Sequence, residues 1–198
     1  MTPPQRQIRA LYDDETITLY QAYAPAIADA ALAAGRFVSP FKLERMTWIK
    51  PSFLWMMYRC GWATKPGQER VLAIRLTRDG FEHALSQACL SHFDPAIYRS
   101  WEEWQEIKRE SPVRIQWDPE RDVHLQPLPW RSIQIGLSGT AARDYVARWT
   151  VDITDITATV HELRDETSRC AASMPSEDPY PVPDQIAHRI GLTNVALA

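Results

Sequence analysis

The sequence predicts an α+β fold with a mixed or antiparallel sheet flanked by helices, and three observations carry that prediction. Stretches such as Glu69 to Thr77 alternate apolar and polar residues with the period of a half-buried strand. Others, such as the run containing Phe81, Ala84 and Leu85, repeat with the period of an amphipathic helix. No repeat of 20 to 50 residues and no Gly/Ser linker divides the 198 residues, so one domain is expected over 1–198. Its compact body is expected at about 6–172, with a proline-bearing tail, 173–198, packed on it.

From the amino end, Gln7 to Tyr23 is rich in β-branched and aromatic residues, and Asp13, Asp14 and Glu15 make a turn between two strand-like halves. Pro25 opens a short helix with Ile27, Ala28, Ala31 and Leu32 on one face and Gly35 as its stop. Arg45 to Ile49 is a brief strand. Ser52 to Cys60, apolar nearly all round, fits a buried helix starting at Pro51. In the strand from Glu69 to Thr77, the Leu72, Ile74 and Leu76 face is expected to meet the core, and the Val71, Ala73 and Arg75 face lies opposite.

Asp79 and Glu82 form a capping box for a helix that buries Phe81, Ala84, Leu85, Ala88 and Cys89. A further helix is expected from Asp94 and Pro95, burying Ile97, Trp101 and Trp104 and turning its charges to water. Val113 to Trp117 and Arg131 to Leu137 read as strands joined by a polar connection containing Asp118, Glu120, Arg121 and Asp122. Two helical patterns follow, one on Ala142, Tyr145, Val146 and Trp149, the other on Ile153, Ile156, Val160 and Leu163. Beyond Met174, four prolines predict an extended tail lying across the body.

A chain of this length buries roughly 70% of its unfolded surface, and 45% hydrophobic with 24% charged residues is the balance of a folded protein. No apolar run reaches the roughly 20 residues that span a bilayer, and Met1 to Ala10 lacks a signal-peptide core. A soluble, cytoplasmic protein without a membrane partner is therefore expected. Cys60, Cys89 and Cys170 are odd in number, unpaired in spacing, and expected as reduced thiols in helical or loop segments.

The charge is uneven. Arg36 to Arg78 holds nine Lys or Arg against Glu44 and Glu69, a local +7 in a chain of net −3, with Trp48, Trp55 and Trp62 interleaved. Cations among planar rings suit a nucleotide, another phosphate-bearing ligand or a nucleic-acid strand, although a solvated face over core tryptophans has the same composition. Within this band, Arg45, Thr47, Trp48, Lys50 and Ser52 surround a strand-to-helix junction, where free backbone N–H groups and the helix dipole favour an anion. Thr47 and Ser52 are equally suited to be plain helix caps.

Phosphate loops of the Gly-x-x-x-x-Gly-Lys or Gly-x-Gly-x-x-Gly type are absent, as are hydrolase elbows and His-Glu-x-x-His helices. Five scattered histidines show no ligand spacing, so no metal is expected. A second cluster, Gln116 to Asp122, gathers three acids and an arginine; neighbouring acids perturb one another's protonation and can supply a general acid or base. Asp118-Pro119 is also a turn opener.

RMTWIKPSFLWMMYR and QWDPERD, with IRALYD, YQAY and RSIQIGL, resemble the bacterial and fungal family called domain of unknown function 4291, from about Arg6 to the tail. That resemblance implies no activity. The order of the parts also resembles the ADP-ribosyltransferase class: an arginine on the first strand, hydroxyls where a strand enters a helix, an acid beside a late strand. The second resemblance implies NAD as substrate, with Arg9 and the hydroxyls of Thr47 and Ser52 at the pyrophosphate and Glu120 near the reacting ribose. Where that class shows Glu-x-Glu or Gln-x-Glu, Glu120-Arg121-Asp122 puts aspartate second.

The functional expectation is thus a nucleotide-binding, NAD-utilising transferase-like enzyme. Glu120 is its catalytic candidate, and Arg9, Tyr12, Arg45, Thr47, Trp48, Lys50, Ser52, Asp118 and Arg121 its binding candidates. The alternatives are a nucleic-acid-binding or processing protein and a non-catalytic interaction module.

Overall fold

In the computed structural model, which describes residues 4–165 and 174–192, the chain forms an α+β fold around two main sheets. The strands are β1 (Arg9–Ala10), β2 (Thr16–Tyr23), β3 (Thr47–Ile49), β4 (Arg70–Thr77), β5 (Ala88–Leu90), β6 (Val113–Arg121), β7 (Pro127–Leu137), β8 (Thr150–Asp155) and β9 (Asp178–Pro179). The helices are α1 (Pro25–Ala34), α2 (Phe53–Cys60), α3 (Arg78–Ser86), α4 (Trp101–Glu110), α5 (Gly139–Asp144), α6 (Thr157–Asp165) and α7 (Asp184–Ile190). A π-helical turn, Tyr145–Trp149, continues α5.

One sheet is antiparallel, in the order β2-β4-β8; the other is mixed, in the order β3-β7-β6-β5, with β5 parallel to β6. A bridge between Tyr20 and Lys50 ties β2 to the end of β3. Ile17, Leu19, Leu72, Ile74 and Leu76 of the first sheet meet Ile49, Val113, Ile115, Ile133, Ile135 and Leu137 of the second in the main core. A smaller core gathers Phe53, Met56, Met57 and Cys60 of α2 with Tyr20, Val71, Val160 and Leu163. Val71 is thus as buried as Leu72, so β4 uses both of its faces; the expectation of one core face fails where α2 and α6 cover the other.

Local signals fixed several elements. The turn at Asp13 accepts from the Glu15 and Thr16 amides, and Gly35 ends α1 at φ 64°. Ser52, not Pro51, begins α2: its hydroxyl accepts from the Trp55 amide. Thr77 likewise replaces Asp79 as the cap of α3, accepting from Gly80, while Glu82 accepts from the Tyr180 hydroxyl instead of closing a capping box.

Elsewhere a neighbouring strand overrode the helical pattern. Ala88 and Cys89 leave α3 to pair with β6, so Cys89 lies in a strand, and Ile153 belongs to β8, which pairs with β4. Helix α4 starts at Trp101, capped by Ser100, after a turn at 94–98, and Trp101 stays 51% exposed. Asp118 to Arg121 belong to β6 and not to a connection; β5 pairs only with Val113 to Ile115, so Pro119 lies where β6 has an unpaired edge, next to a register shift.

The described part of the tail is not wholly extended. It pairs with β1 through β9, with the Tyr180 amide bonded to the Ile8 carbonyl, and then forms α7. The expected boundary at 172/173 and Cys170 lie outside the described residues; Cys60 and Cys89 are buried free thiols.

Candidate functional site

Strand period decides the site. In β6 the side chains of Val113, Ile115 and Trp117 enter the core, which turns Gln116, Asp118 and Glu120 to the opposite face. In β7, Ser132, Gln134 and Gly136 share that face, and in β3 Trp48 does, because Trp48 lies opposite Gly136 while Gln116 lies opposite Gln134. Two stretches about seventy positions apart in the chain, the tryptophan-bearing band and the acid-bearing strand, therefore meet across β7.

A cleft of about 660 Å³ opens on this face, lined among others by Lys42, Arg45, Trp48, Lys50, Arg59 and Gln68. Gln116 and Gln134 also line it, and each donates to one oxygen of Asp118, at 2.9 and 2.5 Å. The carboxylate thereby fixes both amides. Trp48 lies over Gly136, where a Cβ would come within 3.1 Å of the indole; only glycine lets the ring sit that close to the strand. A buried network supports the opposite wall: Gln21 donates to Thr47 Oγ1 at 2.7 Å, Tyr23 Oη bonds the same hydroxyl at 3.0 Å, and Tyr145 donates to Gln21 Oε1 at 2.6 Å.

The charges are one-sided. Lys42, Arg45 and Arg59 are exposed at the rim, Lys50 is 5% exposed within, and no acid is among the described residues lining the cleft. None of the four forms an ion pair among the described residues. Lys50 Nζ donates to the Trp48 carbonyl at 3.2 Å. Burial pushes its ammonium down to about 8, with Arg59 adding to the push and Cys60 and Asp118 opposing it.

The remaining candidates gather elsewhere. Glu120, 9% exposed, accepts from the Arg121 amide at 2.8 Å near the hydroxyls of Ser52 and Ser132; burial raises its carboxyl, and those hydrogen bonds hold it back. Beside it, Glu177 of the tail accepts from the Phe53 amide at 2.6 Å. The start of α2 is therefore covered by the chain's own carboxyl group, which takes the Phe53 amide that the expected anion site around Ser52 would have used. Arg9 donates to the Glu177 carbonyl at 2.8 Å and Tyr12 to the Pro179 carbonyl at 2.9 Å, so both serve to hold the tail. Arg121 lies 3.7 Å from the centroid of the Tyr58 ring, on the outer side of α2.

Burial pushes the Glu177 carboxyl up from 4.5 to about 8, with Glu120 adding to the push and the Phe53 amide and Arg9 opposing it. Between those values the folded protein holds a proton that the unfolded chain has released, so this group's contribution is full below pH 4.5 and lost as pH rises through 8. Glu177→Gln keeps the acceptor for Phe53 and removes the charge. Denaturant melts at pH 9 should show the variant more stable than wild type by on the order of 5 kcal/mol, and at pH 4 no difference; equal gains at both would show that charge is not the cause.

Of the sequence candidates, the structure brings together Arg45, Thr47, Trp48 and Lys50, with Asp118 behind, and keeps Arg9, Tyr12, Ser52, Glu120 and Arg121 out of the cleft. Gln116 and Gln134 were not anticipated as site residues, although each alternates with buried apolar neighbours and so marks the far face of its strand. Gln21 and Tyr23 are the polar end of a strand face that begins with Ile17 and Leu19. Among the described residues no three His, Cys, Asp or Glu side chains are grouped as metal donors, and no helix is long and apolar enough to cross a membrane.

Fold and site together define an α+β protein with a cationic cleft on one face of a mixed sheet. The family described as domain of unknown function, DUF4291, matches residues 7–180, and the chain belongs to it. No curated protein is similar enough to count as a match.

Proposed function

We propose that the cleft binds a nucleotide or another phosphate-bearing ligand. One observation carries this reading: among the described residues four cations line the cleft, no acid does, and none of the four is neutralised by an ion pair. Lys42, Arg45 and Arg59 offer exposed, permanent charges to a ligand phosphate, and Lys50 lies deeper in the same cleft. Trp48 offers a flat surface to a base, and the amides of Gln68, Gln116 and Gln134 suit ring nitrogens and hydroxyls.

NAD remains the nucleotide of first choice, as substrate of a transferase-like reaction at the ribose. In this reading the carboxylate closest to the chemistry is Asp118, because Glu120 stands beside Ser52 and Ser132.

A melting assay with NAD, ADP-ribose, ATP and inorganic phosphate tests the proposal. At ligand concentrations well above Kd the melting temperature should rise by about 5 °C. The rise should vanish in Arg45→Gln, shrink with added salt, and persist in Arg9→Ala, whose guanidinium is bound to the tail. No shift with any of the four ligands would overturn the reading.

Tyr58 favours a second reading. It is 37% exposed, stacked on Trp55 and faced by Arg121, so a cation and a ring continue the basic surface beyond the cleft, as a single nucleic-acid strand requires. Binding of an oligonucleotide that weakens in Tyr58→Ala would support it; equal binding would exclude it.

A further inference from the structure

The cleft separates two kinds of positive charge. Lys42, Arg45 and Arg59 stand at the rim in water, where permanent cations hold a phosphate. Lys50 lies deeper, 5% exposed, its Nζ donating to the Trp48 carbonyl, and with the fixed amides of Gln116 and Gln134 lining the same cleft. A desolvated lysine next to another cation, inside a ligand cleft, has the setting of an amine nucleophile.

We infer that Lys50 forms an imine with the C1 aldehyde of a phosphate-bearing sugar bound in this cleft. The inference rests on the proposed phosphate binding and deepens it by naming the substrate class. Phosphate at the rim leaves the carbonyl end to reach inward, and the amides with Thr47 and Tyr23 meet the hydroxyls between. Nζ, as the neutral amine, adds to C1; the C–N bond forms as the carbonyl oxygen takes a proton and becomes hydroxyl. That hydroxyl then leaves as water, carrying the second proton from nitrogen, and the C=N bond remains. No oxidant or reductant enters the balance. Burial, with Arg59 nearby, brings the amine to about 8, so a usable fraction is unprotonated near neutrality.

An aldehyde beside a phosphate occurs in open-chain pentose phosphates, in ADP-ribose and at abasic positions of nucleic acids, and the test separates these sources. The full chain is incubated with ribose 5-phosphate, ADP-ribose or an oligonucleotide carrying one abasic site. Cyanoborohydride reduces any imine to a stable amine, and the adduct is mapped by mass spectrometry. The expected adduct lies on the peptide holding Lys50, forms faster as pH rises through 8, and is lost in Lys50→Arg. Ribose without phosphate should react about tenfold more slowly, the loss of one charge-assisted contact.

Whichever phosphate-bearing sugar reacts identifies the source. Adducts spread over Lys42, Lys65 and Lys108, or labelling that survives in Lys50→Arg, would overturn the assignment, and the mapped wild-type peptide decides this even if the variant does not fold. Melting shifts measured without reductant keep the two readings apart. A shift without an adduct removes the imine and leaves phosphate binding, whereas neither shift nor adduct removes both.

Discussion

Lys50→Met should yield a protein that is more stable at neutral pH and binds phosphate-bearing sugars more weakly. Below pH 8 the lysine is charged in both folded and unfolded chains, and the folded chain alone bears the penalty of burying it. A depression from 10.5 to about 8 corresponds to a penalty on the order of 3 kcal/mol. Between those values the folded state gives up its proton first, so wild-type stability recovers with rising pH and the advantage of the variant fades toward pH 10.5. Methionine fills the space of the lysine stem without a charge. Urea melts of both proteins at pH 7 and pH 10 check the sign. A variant that is less stable at pH 7, or whose advantage does not change with pH, would show that the ammonium is better solvated than its burial indicates. A stability gain bought at the expense of ligand binding is the expected mark of a functional residue.

Gly80→Ala should have a comparable effect in the opposite direction. Gly80 sits in the first turn of α3 against Trp149, and a Cβ there would come within 2.5 Å of the indole Cδ1 and 2.7 Å of the Trp149 Cβ. Trp149 is 7% exposed and closes the π-helical turn, so the ring has little room to retreat. Overpacking of this kind costs about 3 kcal/mol, against which the better helix propensity of alanine returns about 1. The net loss of about 2 kcal/mol should appear as a lowered urea midpoint. Trp149→Leu in the same chain should recover part of it; if the two losses simply add, the clash is not the cause.

Elements governed by their own residues were legible in advance. Pro25 and Gly35 bound α1 because each acts through its own backbone, and Ser52 caps α2 by reaching three residues along the chain. Even the family resemblance, carried by contiguous strings, is local information. The elements misread are those in which a partner strand competes with helical spacing. Ile153 has helical neighbours in sequence, but β4 offers it a ladder, and Ala88 and Cys89 leave the pattern of α3 for the ladder offered by β6. Asp118-Pro119 reads as a turn until β5 is found to end short of it, leaving an edge that proline tolerates.

The site divides along the same line. Sequence alone determined which residues carry the charge: the basic band with its tryptophans holds Lys42, Arg45, Lys50 and Arg59. Only the tertiary structure decided which of them share a cleft, because β7 interposes itself between β3 and β6 and the pairing register turns Trp48, Gln134, Gln116 and Asp118 to one face. It also moved Glu120 away to Ser52 and Ser132 and spent Arg9 on the tail. The physical reason is that charge belongs to a residue, whereas burial, alignment and the covering of a helix end by Glu177 belong to contacts between distant segments, Phe53 and Glu177 lying 124 positions apart.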